Sequence, residues 1–171
     1  LPPDAARRVG GYYSETEFDL TRLQLLRESM VEIGRSCIDP DYRTGGTIAL
    51  LWSGLANFMT QGGYRTLIGC ASIGMADGGY LAANLYRRLG EHMAPPEYRV
   101  CPRHPLPVEQ LFNGQPAELP PLIKGYLRAG AYVGGEPAWD PDFNTADLLI
   151  MMPMARVEER YARHFLERKA A

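Results

Sequence analysis

Glu32 is the residue best suited to acid–base work, because it interrupts the apolar pattern of Met30-Val31-Glu32-Ile33-Gly34-Arg35-Ser36-Cys37-Ile38. Desolvation in such a strand raises a carboxyl pKa and makes the group a base toward an ammonium. A solvent-facing strand residue is the competing reading, since alternate positions of a strand point to opposite faces. Arg35 lies three residues on, across the strand from Glu32, so spacing does not pair the two. Ser36 and Cys37 invite a nucleophile, yet no histidine is near them in sequence. A lone strand cysteine is ordinarily a small core residue, and covalent catalysis is disfavoured.

A second candidate is Arg43-Thr44-Gly45-Gly46-Thr47, which opens a helical pattern. Unpaired amides at a helix start attract an anion, glycines let the backbone approach it, and Arg43 can add a charge-assisted contact to a phosphate. The run is neither GxGxxG nor a Walker loop, so an ordinary strand-to-helix turn is the commoner reading of it. His92, His104 and His164 are scattered without HExxH or HxH spacing, and no metal site is expected. Tyr12, Tyr13, Tyr80, Tyr86 and Trp139 suit an acyl channel or, more commonly, a core. The terminal Arg156, Arg160, Arg163, Arg168 and Lys169 suit anionic lipid or an acidic partner, although Glu158, Glu159 and Glu167 dilute them.

The positioning elements follow from periodicity. Met30 to Ile38 reads as a strand ended by Pro40, and Ile48, Leu51, Trp52, Leu55 and Met59 read as a helix closed by Gly62 and Gly63. Thr66 to Ile73 reads as a buried strand, adjacent and parallel to the first across the helical crossover. Helices are predicted over Gly79 to His92 and Pro120 to Ala129, and strands over Ala131 to Trp139 and Ala146 to Met152, joined by a hairpin loop at Asp140 to Thr145. Residues 94–118 read as an irregular, proline-rich excursion, the opening residues as polar and turn-rich, and Val157, Tyr161, His164 and Phe165 as one face of a terminal helix.

The chain has 171 residues, 46% of them hydrophobic, and suits one domain over residues 1–171. A net charge of -2 gives no electrostatic case for nucleic acid. Cys37, Cys70 and Cys101 are an odd number without CxxC spacing, which fits a reducing, cytoplasmic setting. No apolar run reaches the roughly 18 residues of a membrane span; peripheral membrane contact stays open.

Taken together, Val31-Glu32-Ile33-Gly34-Arg35-Ser36-Cys37, Asp41-Tyr42-Arg43-Thr44-Gly45-Gly46 and Leu50-Leu51-Trp52 resemble the ornithine-acyl carrier protein N-acyltransferases of ornithine-lipid synthesis. Gly69-Cys70-Ala71-Ser72, Ala94-Pro95-Pro96-Glu97, Leu119 to Arg128 and Asp140 to Asp147 extend that resemblance over nearly the whole chain. It implies an α/β (α+β) fold of the GCN5-related N-acyltransferase type, a mixed sheet flanked by helices, with family elements that precede Tyr12-Tyr13-Ser14 missing. It further implies transfer of a 3-hydroxyacyl group from acyl carrier protein to the α-amine of ornithine or another amino acid. The donor carries phosphopantetheine, so no other cofactor is expected. By resemblance the pantetheine arm enters between the diverging strands and its phosphate meets Arg43, Thr44, Gly45, Gly46 and Thr47. Related acyl-homoserine-lactone and long-chain N-acyl amino acid synthases place a glutamate and an arginine in a similar strand, which marks Glu32 as the base and Arg35 as a site residue. Amides from Ser36 to Ile38 are expected at the oxyanion. A rival from another class is a non-catalytic acyl-carrier-binding module.

Overall fold

A computed structural model describes residues 1–43 and 45–157. The opening segment, predicted to be turns, is instead built from α1 (Pro3–Val9), α2 (Ser14–Glu17), β1 (Phe18–Asp19) and a 3-10 helix at Thr21–Ser29. Next come β2 (Met30–Glu32), a 3-10 turn at Pro40–Tyr42, α3 (Gly45–Gln61), β3 (Thr66–Gly74), α4 (Tyr80–Arg88) and β4 (Cys101–Pro102). The chain continues through α5 (Val108–Leu111), α6 (Pro121–Arg128), β5 (Tyr132–Val133), β6 (Ala138–Asp140) and β7 (Thr145–Pro153).

Five strands form one mixed sheet in the order β2-β3-β7-β5, with β6 also on β7, and helices flank it in an α+β arrangement. β2 and β3 are parallel neighbours joined by α3, as the crossover rule requires. β3 and β7 pair antiparallel over nine residues, from Thr66 opposite Pro153 to Gly74 opposite Thr145. Elsewhere β1 pairs with β4, which ties the opening segment to the 94–118 excursion.

The sheet's alternation sorts its side chains into two cores. One face sends Val31, Leu67, Ala71, Leu148, Ile150 and Met152 against Met59 of α3, Leu85 of α4 and Ile123 of α6. The other sends Met30, Ile68, Leu149 and Met151 against Ala6, Tyr12, Phe18 and Leu23 of the opening segment. Residues 1–29 are therefore the second layer of the domain.

Two predicted strands are shorter in the structure. Met30 to Ile38 pairs only over Met30–Glu32, because Ile33 makes its last bond to β3 through its amide to Ile68 O at 2.9 Å, and Arg35 then turns left-handed at φ 52°. Ala131 to Trp139 splits into β5 and β6 around Gly134 and Gly135. A Cβ at Gly135 would sit 2.2 Å from Val100 O, so the excursion crosses the sheet edge where only glycine fits. The predicted helix over Gly79 to His92 is α4 followed by a separate 3-10 turn at Gly90–His92. Beyond Val157 the predicted terminal helix lies outside the described residues, as do its Tyr161, His164 and Phe165. Among the described residues no helix is long and apolar enough to cross a membrane.

Candidate active site

The site occupies the polar end of the sheet face that the opening segment covers. Cross-strand partners share a face, so Glu32 beside Ile68, Asp147 opposite Ser72, and Asp140 opposite Thr145 all point to one side, with Cys70 between them. Toward the other end that face carries Met30, Ile68, Leu149 and Met151, which the cover buries. Apolar residues thus hold the opening segment down, and polar residues line the space where it stops.

That space is a cleft of about 900 Å³ to which Glu32, Arg35, Cys70, Asp140 and Asp147 contribute, with Tyr13 on the opposite wall. It begins where β2 leaves β3. At the point of divergence Ile33 O lies against Gly69, where a Cβ would stand 2.4 Å from it, so β3 needs glycine there. An apolar crevice lined by Ile33, Gly69, Tyr126 and Met152 follows the same parting.

Glu32 is buried, and both of its oxygens are held. Oε2 accepts from the Tyr13 amide at 2.7 Å, while Oε1 accepts from the Ser14 amide at 2.7 Å and Ser14 Oγ at 2.6 Å. The carboxylate thereby seats the turn that delivers Tyr13 to the cleft. Tyr12 secures the same turn from below through its hydroxyl to Met30 O at 2.8 Å. Glu15 accepts from the Tyr12 amide at 2.7 Å and from Arg27 Nη1 at 2.6 Å. With two donors on Oε1 and one on Oε2, the remaining acceptor position of Glu32 is on Oε2.

Ser14 Oγ also lies 3.6 Å from Cys70 Sγ. Its single proton goes to the Glu32 carboxylate, so the thiol donates to Ser14. Burial pushes the Cys70 thiol up to about 12, which favours the neutral thiol and disfavours it as a nucleophile.

Asp140 Oδ1 accepts from the amides of Asp142 at 2.9 Å and Phe143 at 3.1 Å, and Oδ2 from the Tyr13 hydroxyl at 3.3 Å. Asp147 is buried, with Thr145 Oγ1 donating to its Oδ1 at 3.0 Å. Burial raises the Asp147 pKa, the Asp140 charge adds to that, and hydrogen bonds from Ser72 and Thr145 oppose it. The Tyr13 hydroxyl is raised by burial and then by Glu17, Asp140 and Asp147.

The predicted residues are thus partly brought together. Glu32 and Arg35 line the cleft; Ser36 is exposed and does not line it. The Ser36 to Ile38 segment is not a strand, contrary to expectation, because β2 ends at Glu32. In the expected phosphate loop, Arg43 Nε donates to Ile38 O at 3.0 Å and Asp39 Oδ1 caps the Asp41 amide at 3.0 Å, so side chains brace the turn before α3. Gly45 opens α3 and Gly46 follows it, whereas Thr44 lies outside the described residues. Of the other aromatics weighed for a channel, Tyr12 is core, and Tyr80 and Trp139 are largely exposed. Among the described residues no cluster of side chains could hold a metal. Sequence reasoning missed Tyr13, Asp140 and Asp147 as a group, although Asp147 carries the signal that singled out Glu32: a carboxylate inside an apolar strand.

A family model for the acetyltransferase (GNAT) domain matches residues 1–53. The L-ornithine N(alpha)-acyltransferase of Rhodobacter capsulatus is 32% identical over 98% of this chain and 67% of its own length. Proteins of the same name from Rhizobium meliloti and Brucella abortus are each 33% identical, over 96% and 95% of this chain and 59% and 61% of their own lengths. The chain therefore spans about three-fifths to two-thirds of the curated relatives it matches. No solved structure matches it. Similarity across almost every element just described means that the chain belongs to the L-ornithine N(alpha)-acyltransferase family, built on a GNAT-type mixed sheet.

Proposed function

We propose that the protein containing this chain transfers a fatty acyl group, a 3-hydroxyacyl group in particular, from acyl carrier protein to the α-amine of ornithine, giving a lyso-ornithine lipid. The observation that carries this reading is the parting of β2 from β3 beside a carboxylate-lined cleft. A pantetheine thioester is a thin, extended group that a gap between two strands accommodates, and an amine entering the cleft meets its carbonyl there.

In this reading Glu32 Oε2, directly or through a water, takes a proton from the ornithine α-ammonium. The freed amine attacks the thioester carbonyl, the tetrahedral oxyanion collapses with breaking of the C–S bond, and the carrier thiolate leaves with the second proton that the attacking nitrogen gives up as the amide forms. No covalent enzyme intermediate is required, in keeping with the neutral Cys70. Among the described residues the amides from Gly34 to Ile38 have no backbone partner, which supports their service as oxyanion donors. The donor phosphate is assigned to the start of α3 at Arg43 to Thr47, where helix amides favour an anion. Because the donor brings its own phosphopantetheine, no further cofactor is proposed. Setting and partners complete the reading as a cytoplasmic enzyme serving a lipid pathway with peripheral membrane contact.

Purified full-length protein, supplied with a 3-hydroxyacyl carrier protein and ornithine, is expected to release one free carrier thiol per N-acylornithine detected by mass spectrometry. Donor binding without acylornithine would support the non-catalytic binding module instead.

A further inference from the structure

The cleft has a charge pattern that acyl transfer alone does not require. Three carboxylates line it, Glu32, Asp140 and Asp147, against the single guanidinium of Arg35 among its described lining residues. Glu17 stands near them as well: burial raises its pKa, and the charges of Asp140 and Asp147 add to that. A monoamine attacking a thioester needs one base. Two further buried carboxylates are costly unless a cation joins them.

Position separates the roles. Asp147 lies opposite Ser72 on β3, and Glu32 lies beside Ile68 on the same strand. Strand rise and strand spacing put their Cα atoms roughly 16 Å apart across the sheet face. Two inward-reaching carboxylates and an amino acid bearing an amine at each end fill such a span. Asp140 and Asp147 are diagonal neighbours on β6 and β7, since Ala138 pairs with Asp147 and Asp140 with Thr145. The Asp140 carboxylate is fixed by two backbone amides and Tyr13, and Asp147 is fixed by Thr145. Both are therefore preorganised rather than loose surface acids. Arg35 makes no ion pair among the described residues, and so its charge is available to a ligand carboxylate.

We propose that Asp147, with Asp140 beside it, receives the side-chain ammonium of a dibasic amino acid acceptor, while Arg35 holds that acceptor's carboxylate. This rests on the reading above that the cleft takes an amino acid as acyl acceptor. The pair then determines specificity: it selects a second positive charge at a set distance from the reacting amine, and it leaves neutral amino acids of the same length without a partner for the buried acids.

The test compares ornithine with norvaline, which has the same carbon chain and no second amine, in the full-length protein with one acyl carrier thioester as donor. Wild type should prefer ornithine in kcat/KM, and Asp147→Asn should lower that ratio on the order of 10²-fold, mostly through KM for ornithine. Asp140→Asn retains the oxygen that the Asp142 and Phe143 amides need, and should lower the ratio by a smaller factor. Arg35→Gln should raise KM for both acceptors without altering their ratio. Thermal melts establish that each variant is folded. An unchanged ratio in folded Asp147→Asn, or a wild type that uses norvaline as well as ornithine, overturns the proposal while acyl transfer stands. A wild type that acylates neither amine overturns the underlying reading instead.

Discussion

A carboxylate that accepts two backbone amides and a hydroxyl does structural work whatever else it does, and Glu32 is in that position. Replacing it with glutamine sets an NH2 group against a backbone N–H, so Glu32→Gln is expected to lose about 1–3 kcal/mol of stability in denaturant melts as well as turnover. Ser14→Ala removes one charge-assisted bond and should cost about 1.5–3 kcal/mol while leaving both amides in place. Comparing the two variants' kcat at a temperature where both are folded separates proton transfer from support of the turn. Asp147 gives a prediction of opposite sign. Its folded-state pKa is raised, so its favourable contribution exists below the unfolded value, near 3.8, and is lost as pH rises through the raised value. Asp147→Asn should therefore raise Tm near neutral pH, and the gain should vanish in melts at pH values below that of an ordinary aspartate. A flat difference across pH would remove the electrostatic cause. Both acids were equally readable as charges inside apolar strands, yet only Glu32 was taken up on that signal. The partners of Glu32 could not be read, because Tyr13 and Ser14 lie 19 and 18 residues away in sequence.

At the scale of elements, the parting of β2 from β3 is what opens the site, and β3 holds the residue that permits it. Ile33 O can rest against β3 only because residue 69 has no side chain; a methyl there would meet that oxygen at 2.4 Å. Gly69→Ala should push the strands apart, cost about 1–3 kcal/mol in stability, and raise KM for the acyl donor more than KM for ornithine. A variant of normal stability and unaltered donor KM would show that the strands part for another reason. The parallel pair, its crossover helix and the hairpin of β6 and β7 were legible because each has a clear period or a turn cluster. The end of β2 was not. Ile33, Cys37 and Ile38 keep a strand-like pattern, and nothing local reports the contact with Gly69 or the left-handed φ of Arg35 that stop it. The opening segment was illegible for a different reason: a four-residue helix, a two-residue strand and a 3-10 helix are too short to show a period.

Across the whole molecule, order is concentrated in the β3–β7 ladder, which is packed on both faces, while residues 34–43 are exposed or half-buried and carry few backbone bonds. Stability should follow that division, because amides protected by buried ladders open only with global unfolding and those without backbone partners exchange freely. Hydrogen exchange followed by mass spectrometry should find peptides of β3 and β7 slowest and a peptide over residues 34–43 among the fastest. The proposed chemistry adds a second expectation to the same measurement. If the thioester arm lies in the gap between β2 and β3 with its phosphate at the start of α3, an acyl carrier thioester should slow exchange over residues 34–43 specifically. Ornithine alone should protect residues 140–147, where the carboxylates that would receive its second amine are held. Donor and acceptor would then leave separate footprints on two sides of one cleft. Protection of 34–43 by ornithine alone would mean that the roles of the two sides are reversed, and protection of neither segment by the thioester would move the donor away from the parted strands.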